Sequence, residues 1–406
     1  MSDIKYIDGG VCSAKGFKAA GTVAGFRKNK TKKDLCLIVS DCMCSAAAVY
    51  TTNKVKGAPI AVTKAHIADG KAQAVICNSG NANTCAPGGV QLALDTCQLV
   101  ADALHIAKED VLPASTGVIG QPLDIAPIQK GIPALVAGLG KNSEAACEGI
   151  MTTDTKLKEI AYEFKAGGKL CRIGGIAKGS GMIHPNMATM LVFVTTDCAI
   201  APALLRAALC EDVKTSFNMV SVDGDTSTND MVTVLANGLA GNDLIDSAGE
   251  DYNAFCQALH AVTSYLCRMI AADGEGATKL LECRVCGAVD EENARIAAKA
   301  VVCSSLFKAA MFGADANWGR VLCAIGYSGA KVDVNKIDVS FCSAAGCVEV
   351  CKGGAGVEFS ESEAKKILSE KEITVQISLG DGTGCAVAWG CDLTYDYVKI
   401  NGDYRT

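Results

Sequence analysis

Apolar segments of strand period and of helix period follow one another along this chain without regular alternation, and that irregularity constrains the fold most. The residue pattern predicts strands over 34–41, 46–53 and 72–80, each closed by polar turn residues. It predicts helices over 90–104, 201–217 and 253–270, and a further one opening at 290 with acidic residues in its first turn. In the second of these, Leu204, Leu205, Ala208, Leu209 and Val213 share a face; in the third, Phe255, Leu259, Val262, Leu266 and Ile270 do. A strict strand–helix alternation would imply a doubly wound parallel sheet. Its absence points to an α+β fold with sheets covered by helices. From about residue 290 the pattern restarts as helix and then strands, which predicts a smaller C-terminal lobe. The last stretch, 387–406, is strand-like and then polar, so the tail is expected to return to a site elsewhere.

The chain has material for such a core: 406 residues, 50% hydrophobic and 20% charged, enough for two to three domains or one large domain with an appendage. Its 38 Lys+Arg against 44 Asp+Glu give a net charge of −6 with no basic run, which argues against nucleic-acid binding. No signal peptide is recognisable and no apolar run approaches bilayer length, so a soluble, cytoplasmic protein with a small-molecule partner and no membrane contact is expected. The 22 cysteines are scattered through apolar segments, as small core residues would be. The one C-x-x-C, Cys283 to Cys286, lies in a strand-like run that sends the two side chains to opposite faces, a poor chelate. None of the 4 histidines has a cysteine at zinc-site spacing, so reduced structural thiols and no metal are expected.

Polar, glycine-bearing turns interrupt the apolar background at 78–85, 113–122, 151–156, 173–189, 221–230, 272–279 and 313–320. Singly each is an ordinary turn; together they have the composition of loops that line one pocket. Familiar chemistry is missing from them. GGIAKGSG lacks the Lys-Ser/Thr of a phosphate loop, DGDTSTND lacks the glycine and closing glutamate of a calcium loop, and there is no G-x-S-x-G elbow. His184 stands alone before Pro185 and reads as structural. Thr189 remains, behind Ala188 and ahead of the apolar run MLVFV. A threonine hydroxyl needs a base, and its own α-amine, freed by cutting the Ala188–Thr189 bond, can serve, with a reference pKa of roughly 7.7–8.0. Equally, Thr189 can simply open a strand.

KGSGMIHPNMATML resembles the self-processing segment of the glutamate N-acetyltransferase family, the ornithine acetyltransferases of arginine biosynthesis. TTNKVKGAP, NSGNAN, STGVIG, MTTDT, SVDGDTSTND, DGEGATK, GADANWGR and the terminal DYRT resemble further blocks of that family, in family order, from Thr51 to Thr406. The resemblance implies an αββα sandwich like that of N-terminal-nucleophile hydrolases but with a different chain order. It implies cleavage into an α chain, 1–188, and a β chain, 189–406, with 189–289 completing the sandwich and 290–406 the smaller lobe. Thr189 would carry an acetyl group from N-acetyl-L-ornithine to L-glutamate by double displacement. Thr116 and Gly117 would stabilise the oxyanion, and Thr152, Lys178, Thr189, Glu275, Asn401 and Thr406 would contact substrate. No cofactor is implied, acetyl-CoA is left open as a second donor, and two α and two β chains are expected to assemble. The alternatives are a self-processing amidohydrolase or aminopeptidase that passes its acyl group to water, and a non-catalytic amino-acid-binding protein.

Overall fold

The computed structural model describes residues 4–27, 29–184 and 190–402. Its organising element is one long strand. In chain order the strands are β1 (Lys5–Ile7), β2 (Phe17–Thr22), β3 (Leu35–Tyr50), β4 (Lys71–Asn81), β5 (Val111–Val118), β6 (Lys158–Ala166), β7 (Lys169–Lys178), β8 (Leu191–Thr196), β9 (Val220–Ser221) and β10 (Met231–Ala236). All but β9 join one sheet, in the order β1-β6-β7-β8-β10-β3-β4-β5, with β2 added along β3. The sequence pattern predicts two strands where β3 runs as one, because the intervening polar residues find partners without leaving the strand. Asp41 pairs with Lys18 at 2.7 Å, and the Ser40 hydroxyl accepts from Asn237 at 3.2 Å. The register against β4 shifts between Val39 and Cys44, and such a bulge bends a strand.

That bend gives the sheet two layers. Cys36 and Ile38 from the first half of β3, Val75 and Cys77 of β4, and Leu112 of β5 share one buried cluster with Ile176 of β7, Phe193 of β8 and Leu235 of β10. The outer face of the first layer, with Leu35, Leu37, Ala74 and Ile76, is covered by α1 (Ala58–His66), α2 (Gly89–Leu104) and α3 (Ala126–Ala137). A short helix, α4 (Ser143–Ile150), closes the inner cluster with Ala146, Cys147 and Ile150. The outer face of the second layer, with Val192, Val194, Val232 and Val234, is covered by α5 (Pro202–Thr215) and α6 (Glu250–Ala272). The result is the helix–sheet–sheet–helix order that the resemblance implies. Both helices follow their predicted faces: Leu205, Ala208, Leu209 and Val213 are buried on α5, with Leu204 half-buried beside them, and Phe255, Leu259, Val262, Leu266 and Ile270 on α6 are fully buried.

The remaining strands are β11 (Leu280–Ala288), β12 (Asp338–Ser343), β13 (Gly346–Lys352), β14 (Ala355–Gly356), β15 (Glu372–Ser378) and β16 (Gly384–Cys391). They form a second sheet, β14-β13-β12-β15-β11-β16-β9, with α7 (Glu291–Cys303) lying across β11 and β16. Because β9 and β11 both precede residue 290, the second sheet starts before the point where the sequence pattern restarts. Helix α6 touches β6 and β7 on one side and β11 and β16 on the other, so one apolar cluster runs through both sheets. Cys283 is buried and Cys286 exposed, as their strand spacing predicts. The expectation of reduced thiols throughout needs one correction: Cys342 and Cys347 are bonded, because they face each other across the β12–β13 hairpin. No helix among the described residues is long and apolar enough to cross a membrane.

Candidate active site

The bent sheet exposes four strand ends at one place. β7 finishes at Lys178, opposite Leu191 at the start of β8, and Leu191 in turn pairs with Met231 at the start of β10. Near the end of β5, Thr116 and Gly117 lie beside Ser79 and Gly80 of β4. These ends, with the loops after α4 and α6 and the C-terminal helix Tyr395–Asn401, enclose a pocket of about 110 Å³. Thr116, Gly117, Thr152, Lys178, Glu275 and Asn401 all line it. The structure thus brings together six of the positions singled out in the sequence. Ala188, Thr189 and Thr406 lie outside the described residues.

Two glycines set how closely the walls approach. At Gly117 the backbone has φ of +130°, and a β-carbon there would lie 2.3 Å from the Gly80 carbonyl carbon, so only glycine fits. At Gly181 a β-carbon would fall 2.3 Å from the Glu275 carboxylate. Asn401 fixes that carboxylate by donating from its amide to Oε2 at 2.7 Å.

Under the pocket a buried ion group ties three loops together. Lys158, wholly buried, pairs with Asp154 at 2.7 Å and also with Asp273. Asp154 accepts from the amides of Thr152 and Gly179, and Asp273 from the amide of Thr155. Burial alone would raise the Asp154 carboxyl, but Lys158, Lys178 and the Gly179 N–H outweigh it and hold the group well below the usual carboxylate range. The Ser180 hydroxyl donates to the Asp273 carbonyl at 2.6 Å and the Glu275 amide to the Ser180 carbonyl at 3.0 Å. Thr152, Lys178 and Glu275 are therefore placed by one network.

The chain on either side of 185–189 is anchored to a single segment. Asp223 accepts from the amides of Met182 and Ile183 at 2.6 and 2.9 Å, and Thr226 donates to the His184 carbonyl at 2.8 Å. On the far side, the Met190 carbonyl accepts from the Met231 amide at 2.8 Å. His184 sits against Ser221 and Cys303, where burial, with Lys299 adding to it, pushes its pKa down to about 4. It is neutral at pH 7 and turned to the β9 side, as a structural histidine.

Residues that the sequence reading quoted only within the turn 221–230, without individual roles, also line the pocket: Ser227, Thr228, Asn229 and Asp230. Asn229 donates to the carbonyls of Ala82 and Ser115 and accepts from Thr84, tying that turn to the β4–β5 side. An acidic residue standing directly before a largely apolar strand, MVTVLA, was the available signal for Asp230.

A buried cation, Lys178 (7% exposed), and a buried carboxylate, Glu275 (8% exposed), in so small a pocket suit a zwitterion of amino-acid size. With a glycine-shaped approach at Gly117 beside them, the pocket has the geometry and charge of an enzyme site for small amino-acid-like molecules. The ArgJ family profile matches residues 18–406, and the chain belongs to that family. It is 52% identical to the "Arginine biosynthesis bifunctional protein ArgJ" of Symbiobacterium thermophilum, over 99% of this chain and 100% of the other. It is 51% identical to the "Arginine biosynthesis bifunctional protein ArgJ 1" of Clostridium acetobutylicum, over 96% of each. A solved structure of the Bacillus halodurans bifunctional protein argJ is 45% identical, covering 52% of this chain and 97% of its own, with a TM-score of 0.49.

Proposed function

We propose that this protein is an acetyltransferase of arginine biosynthesis that cuts itself between Ala188 and Thr189. Thr189 then carries acetyl from N-acetyl-L-ornithine to L-glutamate. The observation that carries this reading is the pocket itself. Six expected positions from separate parts of the chain converge on it, together with Met190, the residue bonded to Thr189.

The Thr189 hydroxyl attacks the acetyl carbonyl carbon and its proton passes to the Thr189 α-amine. The carbonyl oxygen becomes an oxyanion, stabilised at Thr116 and Gly117. As the C–N bond breaks, the departing ornithine nitrogen takes the proton, leaving an acetyl ester on Thr189. The glutamate amine then attacks the ester, its proton returns to the threonine oxygen, and N-acetylglutamate leaves. Lys178 pairs with an α-carboxylate and Glu275 with the cationic amine of ornithine. Thr152, Asn401 and Thr406 supply polar contacts. No step requires a cofactor, and acetyl-CoA as a second donor would enter at the same ester.

The two fragments, 1–188 and 189–406, remain one body because β7 and β8, on opposite sides of the cut, pair over six positions, from Ile173–Thr196 to Lys178–Leu191. Two such pairs would make the αβ heterotetramer. The test supplies N-acetylornithine and glutamate and measures N-acetylglutamate. Release of acetate at an equal rate with and without glutamate would make the protein a hydrolase instead.

A further inference from the structure

β5 is the last strand of its sheet, and side chains receive the carbonyls along its outer edge. The His66 ring bonds the Val111 carbonyl at 2.8 Å, and the Thr63 hydroxyl donates to the Pro113 carbonyl at 2.7 Å. The Asn229 amide donates to the Ser115 carbonyl at 2.9 Å. Alternate residues of a strand turn their backbone groups to the same edge, and Pro113, which has no N–H to satisfy, stands on this one. Gly117 comes next at that spacing and lines the pocket. His66 and Thr63 belong to α1 and stand outside the pocket lining; Asn229 is part of it.

Asn229 brackets the Thr116–Gly117 pair. Its amide nitrogen holds Ser115 on one side. On the other it donates to the Ala82 carbonyl at 2.6 Å, and the Ala82 amide donates to the Val118 carbonyl at 3.0 Å. Its amide oxygen meets the hydroxyls of Thr84 at 2.7 Å and Thr228 at 2.6 Å. Two donors and two acceptor sites are all that an asparagine has, and each is taken. The side chain is buried, and a β-carbon on Gly57 would lie 2.4 Å from its nitrogen, so the start of α1 closes the space behind it.

We propose that Asn229 is a positioning residue for the oxyanion. By holding the chain before and after Thr116 and Gly117, it fixes their donors where the acetyl carbonyl oxygen takes up charge. This rests on the reading of those two residues as the oxyanion donors. Such donors work by being fixed in advance, and a displacement of about 1 Å can cost on the order of 10² in rate. The effect of Asn229 therefore falls on turnover and not on affinity.

The experiment compares Asn229→Asp, Gly57→Ala and Thr63→Val with N-acetyl-L-ornithine as donor, counting acetyl passed to glutamate and to water together, per cut chain. Asn229→Asp keeps the oxygen that meets the hydroxyls and replaces the donating nitrogen. Gly57→Ala, at a φ of −60° that suits alanine, keeps Asn229 and displaces it. Thr63→Val removes a cap of the same kind from the same edge, two residues earlier, and controls for a structural part alone. We expect kcat to fall by about tenfold to a hundredfold in the first two variants and to hold in the third. L-Ornithine affinity, from titration calorimetry, stays that of the parent in all three. If Asn229→Asp fails to fold or cut, Gly57→Ala decides. Turnover unchanged in both, ornithine affinity lost in place of turnover, or an equal fall in Thr63→Val would each overturn the proposal. A parent protein that moves acetyl to neither acceptor would sink the transfer reading and the proposal with it, whereas an active parent with unaffected variants sinks the proposal alone.

Discussion

Gly117 and Gly181 are both close-approach positions, yet substitution should affect them differently. At Gly117 the obstacle is backbone and φ is positive, so Gly117→Ala has no relaxed geometry. We expect it to cost about 1–3 kcal/mol in denaturant unfolding and on the order of 10²–10³ in transfer rate. At Gly181 the obstacle is the far end of the Glu275 side chain, which can move at the cost of its hydrogen bond to Asn401. Gly181→Ala should therefore melt within about 1 kcal/mol of the parent while KM for acetylornithine rises by about tenfold. Equal losses of stability in the two variants would show that Glu275 is not the group displaced. His184 supplies a pH test. Its folded-state pKa of about 4 lies below the ordinary histidine value of 6.5, so between those values the unfolded chain binds the proton and the native one does not. Its stabilising contribution is full above pH 6.5 and is lost as pH falls towards 4. Urea midpoints for His184→Gln should show a shallower acid-side slope than the parent.

Helix α6 and the Lys158 group hold the elements around the pocket. Phe255 of α6 meets Phe164 of β6 edge-to-face at 6.3 Å, both fully buried, so Phe255→Ala should cost about 3–5 kcal/mol. Lys158→Met leaves Asp154 and Asp273 without their shared cation, and breaking a buried pair in this way costs about 3–5 kcal/mol. Because those carboxylates also hold the backbone amides of Thr152, Gly179 and Thr155, transfer should fall as well; urea midpoints and transfer rates measured together check both. The helices were legible in the sequence because their evidence is local: Phe255 to Ile270 repeat at helical spacing whatever surrounds them. The sheets were not. Whether residues 40–45 turn or continue depends on Lys18 and Asn237, and the place of β9 in the second sheet depends on β16, some 170 residues later. Periodicity also could not reveal that α6 serves two sheets, because an apolar face does not name what covers it. Of the pocket, the turn motifs and the family resemblance supplied Thr116, Gly117, Thr152, Lys178, Glu275 and Asn401. Asp230 stood only within the quoted turn 221–230, because its place on the pocket wall depends on how β10 packs beside β8 and β3.

For the whole molecule, cleavage between Ala188 and Thr189 would separate the covalent chain without separating the sheet. β8 keeps β7 on one side and β10 on the other, and β10 keeps β3. Fragments 1–188 and 189–406 should therefore run as two bands on a denaturing gel and as one species under native conditions, whereas Thr189→Ala should give one intact band and no transfer. Two bands from that variant would end the self-cleavage account. The most direct measurement is the intact mass of the processed protein after exposure to N-acetyl-L-ornithine alone, and again after adding L-glutamate. The account predicts that fragment 189–406 becomes heavier by one acetyl group, located at Thr189 by peptide mapping, and that glutamate removes it as N-acetylglutamate. A fragment that never gains the acetyl group while N-acetylglutamate still accumulates would contradict the covalent route through Thr189.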